Sequence, residues 1–190
     1  MGIEARPTLP HWSYFIALDA DLVRLSRYVE FHPQNFDCFS LEIARVLLAS
    51  AAEVDVVGKL LCKKIDRGSK AENILQYRDT IRPAHPRIAT FEVRLPRFGL
   101  TLHPWDEWRH GRSTPSWWSD YNKVKHQRDQ HFARANLKNA LNAVAGLFVM
   151  VLHLYGEEAR RGALVPPPQV LDVPGSLVSA GGGSYGYVGD

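Results

Sequence analysis

Residues 121–128 read YNKVKHQR. An imidazole takes and gives a proton near neutral pH, a carboxamide both donates and accepts, and ammonium and guanidinium groups hold anions. His126, Asn122 and Arg128 are therefore the candidate catalytic residues of this chain. His126 would be the general acid or base, and Asn122 would orient the imidazole or its substrate. Arg128, with Lys125, would stabilise negative charge building on a phosphate. No step of that chemistry calls for a metal or a cofactor. At 3.6 residues per turn Asn122 and His126 share one side of a helix, with Asp129 on it and Trp118 and Lys125 beside it, while Trp117, Tyr121 and Val124 share another. The pattern predicts a packed side and a wet side. The competing reading of the wet side is ordinary solvated helix surface.

The motif needs a scaffold, and the surrounding periodicity is helical. Asp19 is a candidate cap for a helix running to about Phe31, led in by the apolar HWSYFIAL at 11–18. His32-Pro33 ends it. Ser40 is a good N-cap for a long helix over 41–65, whose apolar residues cover so wide an arc that it is expected to be central. Asp55 and Lys59 fall at i,i+4 spacing on it. A short helix is expected over 72–78. Residues 88–103 alternate in the manner of a β-hairpin inserted between helices. Ser113 or Thr114 would cap the helix carrying the motif, with Pro115 in its first turn and an end near Arg128. The last long helix is expected over 132–155. The helices at 41–65 and 132–155 would form the core pair, with Leu48 and Leu147 among its buried residues.

From Ala163 the chain is rich in Pro, then in Gly and Ser. It reads as a tail, flexible or lying along the domain, and deleting 176–190 is expected to leave stability nearly unchanged. The expected fold is thus mainly α, a four- or five-helix bundle with a small inserted β-hairpin and an irregular C-terminal tail. Residues 1–162 would form the helical domain and 163–190 the tail.

The 190 residues carry a formal net charge of +3. The charge is uneven: residues 78–138 hold 12 Lys/Arg against 6 Asp/Glu, whereas residues 1–77 hold 9 against 10. A basic middle around the motif attracts polyanions. Lys123, Lys125 and Arg134 are the candidate RNA-binding residues. Two widely spaced cysteines, Cys38 and Cys62, fit a reducing cytoplasm and plain core roles. No apolar leader precedes the first helix, and the longest apolar stretch, 143–152, is short for a bilayer. A cytoplasmic protein with no membrane partner is the expectation. The eight histidines show no H-E-x-x-H and no Cys-x-x-Cys pattern, so no metal site is assigned. Trp105, Trp108, Trp117 and Trp118 are read as packing beneath a loop rather than as a base-stacking platform.

A long helix, a polar turn, Asn-x-x-x-His and a final apolar helix together resemble the HEPN superfamily. The resemblance spans roughly residues 40–155. It implies a small helical bundle, a homodimer, and action on RNA as a metal-independent endoribonuclease of a phage-defence or toxin–antitoxin system, with an antitoxin as protein partner. The family motif sets His four to six residues after Arg, commonly with Asn directly after the Arg. Asn122 and His126 match it; Tyr121 stands at the Arg position. A cation from Lys123, Lys125 or Arg128 would have to replace that Arg. Strand scission would proceed by attack of the ribose 2′-hydroxyl on the adjacent phosphate. The alternative implied by the same resemblance is a catalytically silent helical module that binds RNA or a protein.

Overall fold

A computed structural model describes residues 8–111, 113–178 and 183–187; residues 1–7, Arg112, 179–182 and 188–190 lie outside it. Six helices follow in order: α1 (Pro10–Leu25), α2 (Leu41–Ile65), α3 (Ile74–Ala84), α4 (Ser116–His131), α5 (Leu137–Leu154) and the short α6 (Gly156–Arg160). A two-stranded antiparallel hairpin, β1 (Val93–Leu95) and β2 (Leu100–Leu102), stands between α3 and α4. The chain is mainly α with a small inserted hairpin, as its periodicity predicts.

The helix at 41–65 has the expected limits. Ser40 Oγ accepts from Ile43 N–H at 3.2 Å, closing its first turn. α2 is central as expected, meeting α1, α3, α4 and α5; its main partner α5 is the more completely buried of the two. From Ala143 to Leu152 every residue is buried, because α1, α2 and α4 all pack on it. Asn136 caps α5 by accepting from Asn139 N–H at 3.0 Å, so this helix begins five residues later than expected, after a turn at 132–134. α2 keeps an open side. Leu41 and Val56 are exposed and Leu48 is only half-buried, whereas Leu47 and Leu147 are fully enclosed. The polar residues of α2 reach α1: Arg45 bridges Asp21 (3.0 Å) and Glu42 (2.9 Å), and Glu53 meets His11 Nδ1 at 2.6 Å.

Several boundaries move for identifiable reasons. The stretch 11–18 is the first half of α1, since Pro10 can occupy a first turn whose N–H needs no partner. Asp19 therefore lies inside α1 and caps nothing there. α1 stops at Leu25, before Val29 and the His32-Pro33 pair. α3 runs over 74–84 rather than 72–78, capped by Asn73, and tolerates Pro83 in its last turn. The alternation at 88–103 overstates the hairpin, whose residues 86–90 form a 3-10 turn. Cys62 is buried, but Cys38 is exposed.

The aromatic loop before α4 is a plug. Trp105, Trp108 and Trp117 are at most 2% exposed. Trp117 Nε1 donates to Pro104 O at 2.8 Å and Trp105 Nε1 to Gly146 O at 3.3 Å. Gly146 is what admits them: a Cβ there would lie 3.0 Å from the Trp117 ring and 3.3 Å from that of Trp105.

The C-terminal segment lies along the domain and is fastened to it. The buried Asp19 carboxylate accepts from the backbone N–H groups of Gln169 (2.6 Å), Val170 (3.1 Å) and Leu171 (3.3 Å). Burial pushes the Asp19 carboxyl above its ordinary range, and the three N–H donors pull part of the way back. Trp12 Nε1 donates to Pro166 O, and Arg94 and Asp172 exchange backbone hydrogen bonds. A second small hairpin, β3 (Ser176–Val178) with β4 (Tyr185–Tyr187), sets the Tyr185 ring, 2% exposed, against Trp12 and Phe148. Residues that look like linker in composition thus supply core.

Candidate functional site

α4 is fixed at its start and along its inner side by contacts that dictate which side it shows. Neither Ser113 nor Thr114 caps it. Pro115 occupies the cap position, and Glu107 Oε1 instead accepts from Ser116 N–H at 2.9 Å. Trp117, Trp118, Tyr121 and Val124 are buried, the indole of Trp118 resting against the Tyr121 ring at 5.3 Å. The inward side is the one expected, with Trp118 added to it. At Gln127 the backbone leaves helical geometry (φ −143°, ψ 50°), and a second short stretch continues to His131. This kink decouples Asp129 from the projection that would align it with Asn122 and His126.

Among the candidate catalytic residues, Asn122 and His126 lie one uninterrupted turn apart. Asn122 is half-buried and donates one amide hydrogen to Trp118 O at 3.1 Å, which leaves its carbonyl oxygen open. His126 is exposed and meets no hydrogen-bonding or charged partner among the described residues. Arg128 is likewise exposed and unpaired, beyond the kink. Tyr121, at the position where the HEPN motif carries Arg, is 5% exposed.

The candidate RNA-binding cations divide into two kinds. Lys123 and Arg134 both face Asp120, at 3.1 and 3.8 Å. That carboxylate also accepts from the Asn139 amide at 3.0 Å, so it organises the junction of α4 and α5. Lys125 has no carboxylate; its ammonium stands 5.6 Å from the centroid of the Tyr121 ring. The α4 cations without a carboxylate partner are accordingly Lys125 and Arg128, with the exposed His126 between them in sequence, while Lys123 and Arg134 share the single charge of Asp120.

Beside this set lies a cleft of about 350 Å3 between α2, the start of α3 and α4, lined by Asp55, Glu72, Asn73, Tyr121, Asn122 and Lys125 among others. Asp55 organises it, accepting from Tyr77 Oη at 2.7 Å and from Lys59 at 2.5 Å. Gly58 allows this: a Cβ there would meet the Tyr77 ring at 2.8 Å. Burial first, then the Asp55 carboxylate, raises the Tyr77 phenol well above its ordinary range, so it remains a hydrogen-bond donor. The expected Asp55–Lys59 pair is present, but its link to Tyr77 needs the fold: the 22 residues separating Asp55 from Tyr77 give no sequence signal. Glu72 and Asn73, lying outside any recognisable motif, gave none either.

No group of three or more metal-ligating side chains occurs among the described residues. α5 is the one helix among them with the length and hydropathy to cross a bilayer, and 78% of it is buried in this fold. Comparison of the chain with family models, with curated proteins and with solved structures finds no match.

Proposed function

We propose that this chain is a HEPN-like helical protein that acts on RNA through the exposed stretch Asn122–Arg128 of α4. The observation that carries the reading is the state of its cations. Lys125 and Arg128 stand close in sequence on either side of the kink at Gln127, with the exposed His126 beside them, and neither cation has a carboxylate partner among the described residues. Such cations gain by displacing counterions from a phosphate backbone, whereas Lys123 and Arg134 share one carboxylate that offsets one of their two charges and so gain less.

The catalytic form of this function is metal-independent scission. His126 takes the proton of the 2′-hydroxyl or returns one to the leaving oxygen, Asn122 orients the phosphate, and Lys125 and Arg128 bear the charge. His126 stands on an outward side of α4, so a phosphate would be enclosed there only when a second copy of the chain covers it. A homodimer is part of the proposal for that reason. The test is incubation of the purified protein with single-stranded RNA, with and without chelator. Cleavage that survives the chelator, leaves 2′,3′-cyclic phosphate ends and falls about 10²–10⁴-fold in His126→Ala supports the enzyme. Salt-sensitive binding without cleavage assigns the silent RNA-binding form. A protein that neither binds nor cleaves RNA at low salt overturns the proposal.

A further inference from the structure

The cleft beside Asn122 and Lys125 has a chemistry of its own, distinct from that of the cationic segment. We infer that it is a base-recognition pocket, and that the base it takes from a single-stranded RNA is guanine; the inference rests on the RNA reading given above.

The reasoning begins with what the cleft would refuse. Asp55 is already paired with Lys59, so the uncompensated carboxylate of the cleft is Glu72, set against the ammonium of Lys125. A phosphate entering it would find no excess of positive charge, so the phosphate stays outside with His126 and Arg128. At about 100° per residue, His126 stands about 40° round α4 from Asn122, and Lys125 about 60° round in the opposite sense. Asn122 is therefore the boundary between the outer segment and the cleft. A nucleotide whose phosphate lies on the outer segment can turn its base inward past Asn122.

What the cleft would accept follows from its open hydrogen-bonding capacity. Ionised carboxylates only accept, and each offers about four lone-pair positions. Asp55 uses one for Tyr77 and one for Lys59. Glu72 is exposed, and its carboxylate has no hydrogen-bond or ion-pair partner among the described residues. The Asn122 carbonyl oxygen is a further open acceptor. The balance is acceptor-rich, so the matching base edge is the one richest in donors. Only guanine presents two adjacent donors, N1–H and the N2 amino group, in the spacing that a carboxylate bridges with both oxygens. Adenine and cytosine present one amino group beside a ring acceptor, which would face a carboxylate lone pair. Uracil flanks its single N–H with two carbonyls. Guanine O6, on the same edge, needs a donor, and Lys125 or the Asn73 amide supplies one. Single-stranded RNA is the form in which that edge is free. Tyr121 and Trp118, both almost fully buried, give the cleft an apolar floor.

The experiment measures binding of end-labelled octauridylate and of three variants carrying one central guanosine, inosine or adenosine, by fluorescence anisotropy at low salt. The intact chain is compared with Glu72→Gln. The expected result is guanosine about tenfold tighter than adenosine, the gain of one bidentate contact. Inosine, lacking the N2 amino group, falls between, and Glu72→Gln loses the preference while still binding plain octauridylate. Because Glu72 is exposed, that variant leaves the fold intact. Asp55→Asn, which disturbs Tyr77 and Lys59, is a second variant, checked by its melting temperature. If all four oligonucleotides bind alike, or if the preference survives in both variants, the guanine inference is overturned and the RNA reading stands. If none binds, both fall together.

Discussion

The fastening of the C-terminal segment by Asp19 can be tested quantitatively. Asp19→Ala removes the acceptor from three backbone N–H groups. Gln169 is exposed, and its N–H turns to water at little cost. Val170 and Leu171 are 6% and 3% exposed, and their N–H groups are left buried without partners. Each stranded donor costs about 1–3 kcal/mol. Against that loss, the variant no longer buries a carboxylate whose desolvation raises its pKa. The segment can also peel away, exposing Val170, Leu171 and Val173 in place of the stranded groups. We therefore expect a loss of about 3 kcal/mol, in the lower half of the range of about 2–6 kcal/mol for two stranded donors because of these offsets. For a chain of this length that lowers the melting temperature by about 6–12 °C. The assay is thermal unfolding followed by circular dichroism, with amide exchange resolved by segment. Exchange should accelerate at 164–173 more than in α5. A change below about 0.5 kcal/mol, the size of an ordinary surface substitution, would refute the reasoning, as would exchange that speeds up uniformly.

Three further outcomes follow from the packing and the titrating groups. Truncation after Gly175 removes Tyr185, which packs on Trp12 and Phe148, so calorimetry should show a lowered melting temperature rather than the neutral result the tail's composition suggests. Leu147→Ala should cost about 2–5 kcal/mol in urea titration, and Leu48→Ala distinctly less, because only Leu147 is fully enclosed. Burial, helped by nearby Lys64, holds His85 below its ordinary value of 6.5. The unfolded chain then binds that proton more readily, so stability falls as pH drops through 6.5 towards the folded value. Thermal melts between pH 7.5 and 5 should show a shallower fall in His85→Gln.

Much of the helical framework was legible because it follows from short-range rules. The 41–65 helix announced both its cap and its apolar arc. The inward side of α4 could be read from the spacing of Trp117, Tyr121 and Val124. What escaped depends on contacts distant in sequence. Asp19 looked like a cap because an acid before an apolar run usually is one; its partners lie about 150 residues away. The tail read as linker because Pro and Gly dominate it, and the few apolar residues that dock, Leu164, Val170, Leu171, Val173 and Tyr185, are too sparse to register as a periodic face. At the site, the positions of Asn122 and His126 were readable, whereas the sorting of cations was so only in part. Lys123 follows Asp120 at i,i+3 spacing, a pair that helical periodicity offers, but Arg134 on the same carboxylate and the cleft beside Lys125 needed the fold. The kink at Gln127 falls where the helix was expected to end, near Arg128; what the sequence did not show is the second helical stretch that continues to His131.

That sorting of cations gives the most direct test of the central claim. Binding of a labelled single-stranded RNA is measured across a salt series for the intact protein and two double variants. Lys125→Glu with Arg128→Glu reverses the charge of the unpaired group; Lys123→Glu with Arg134→Glu reverses the pair held by Asp120. The account predicts that the intact protein loses affinity steeply with salt, as counterion release requires. The first variant should flatten that slope and bind at least about tenfold more weakly, because each lost phosphate contact releases one fewer counterion. The second should be distinctly milder in both respects. Equal losses in the two variants, or binding by the intact protein that ignores salt, would contradict the claim that α4 meets RNA through Lys125, His126 and Arg128.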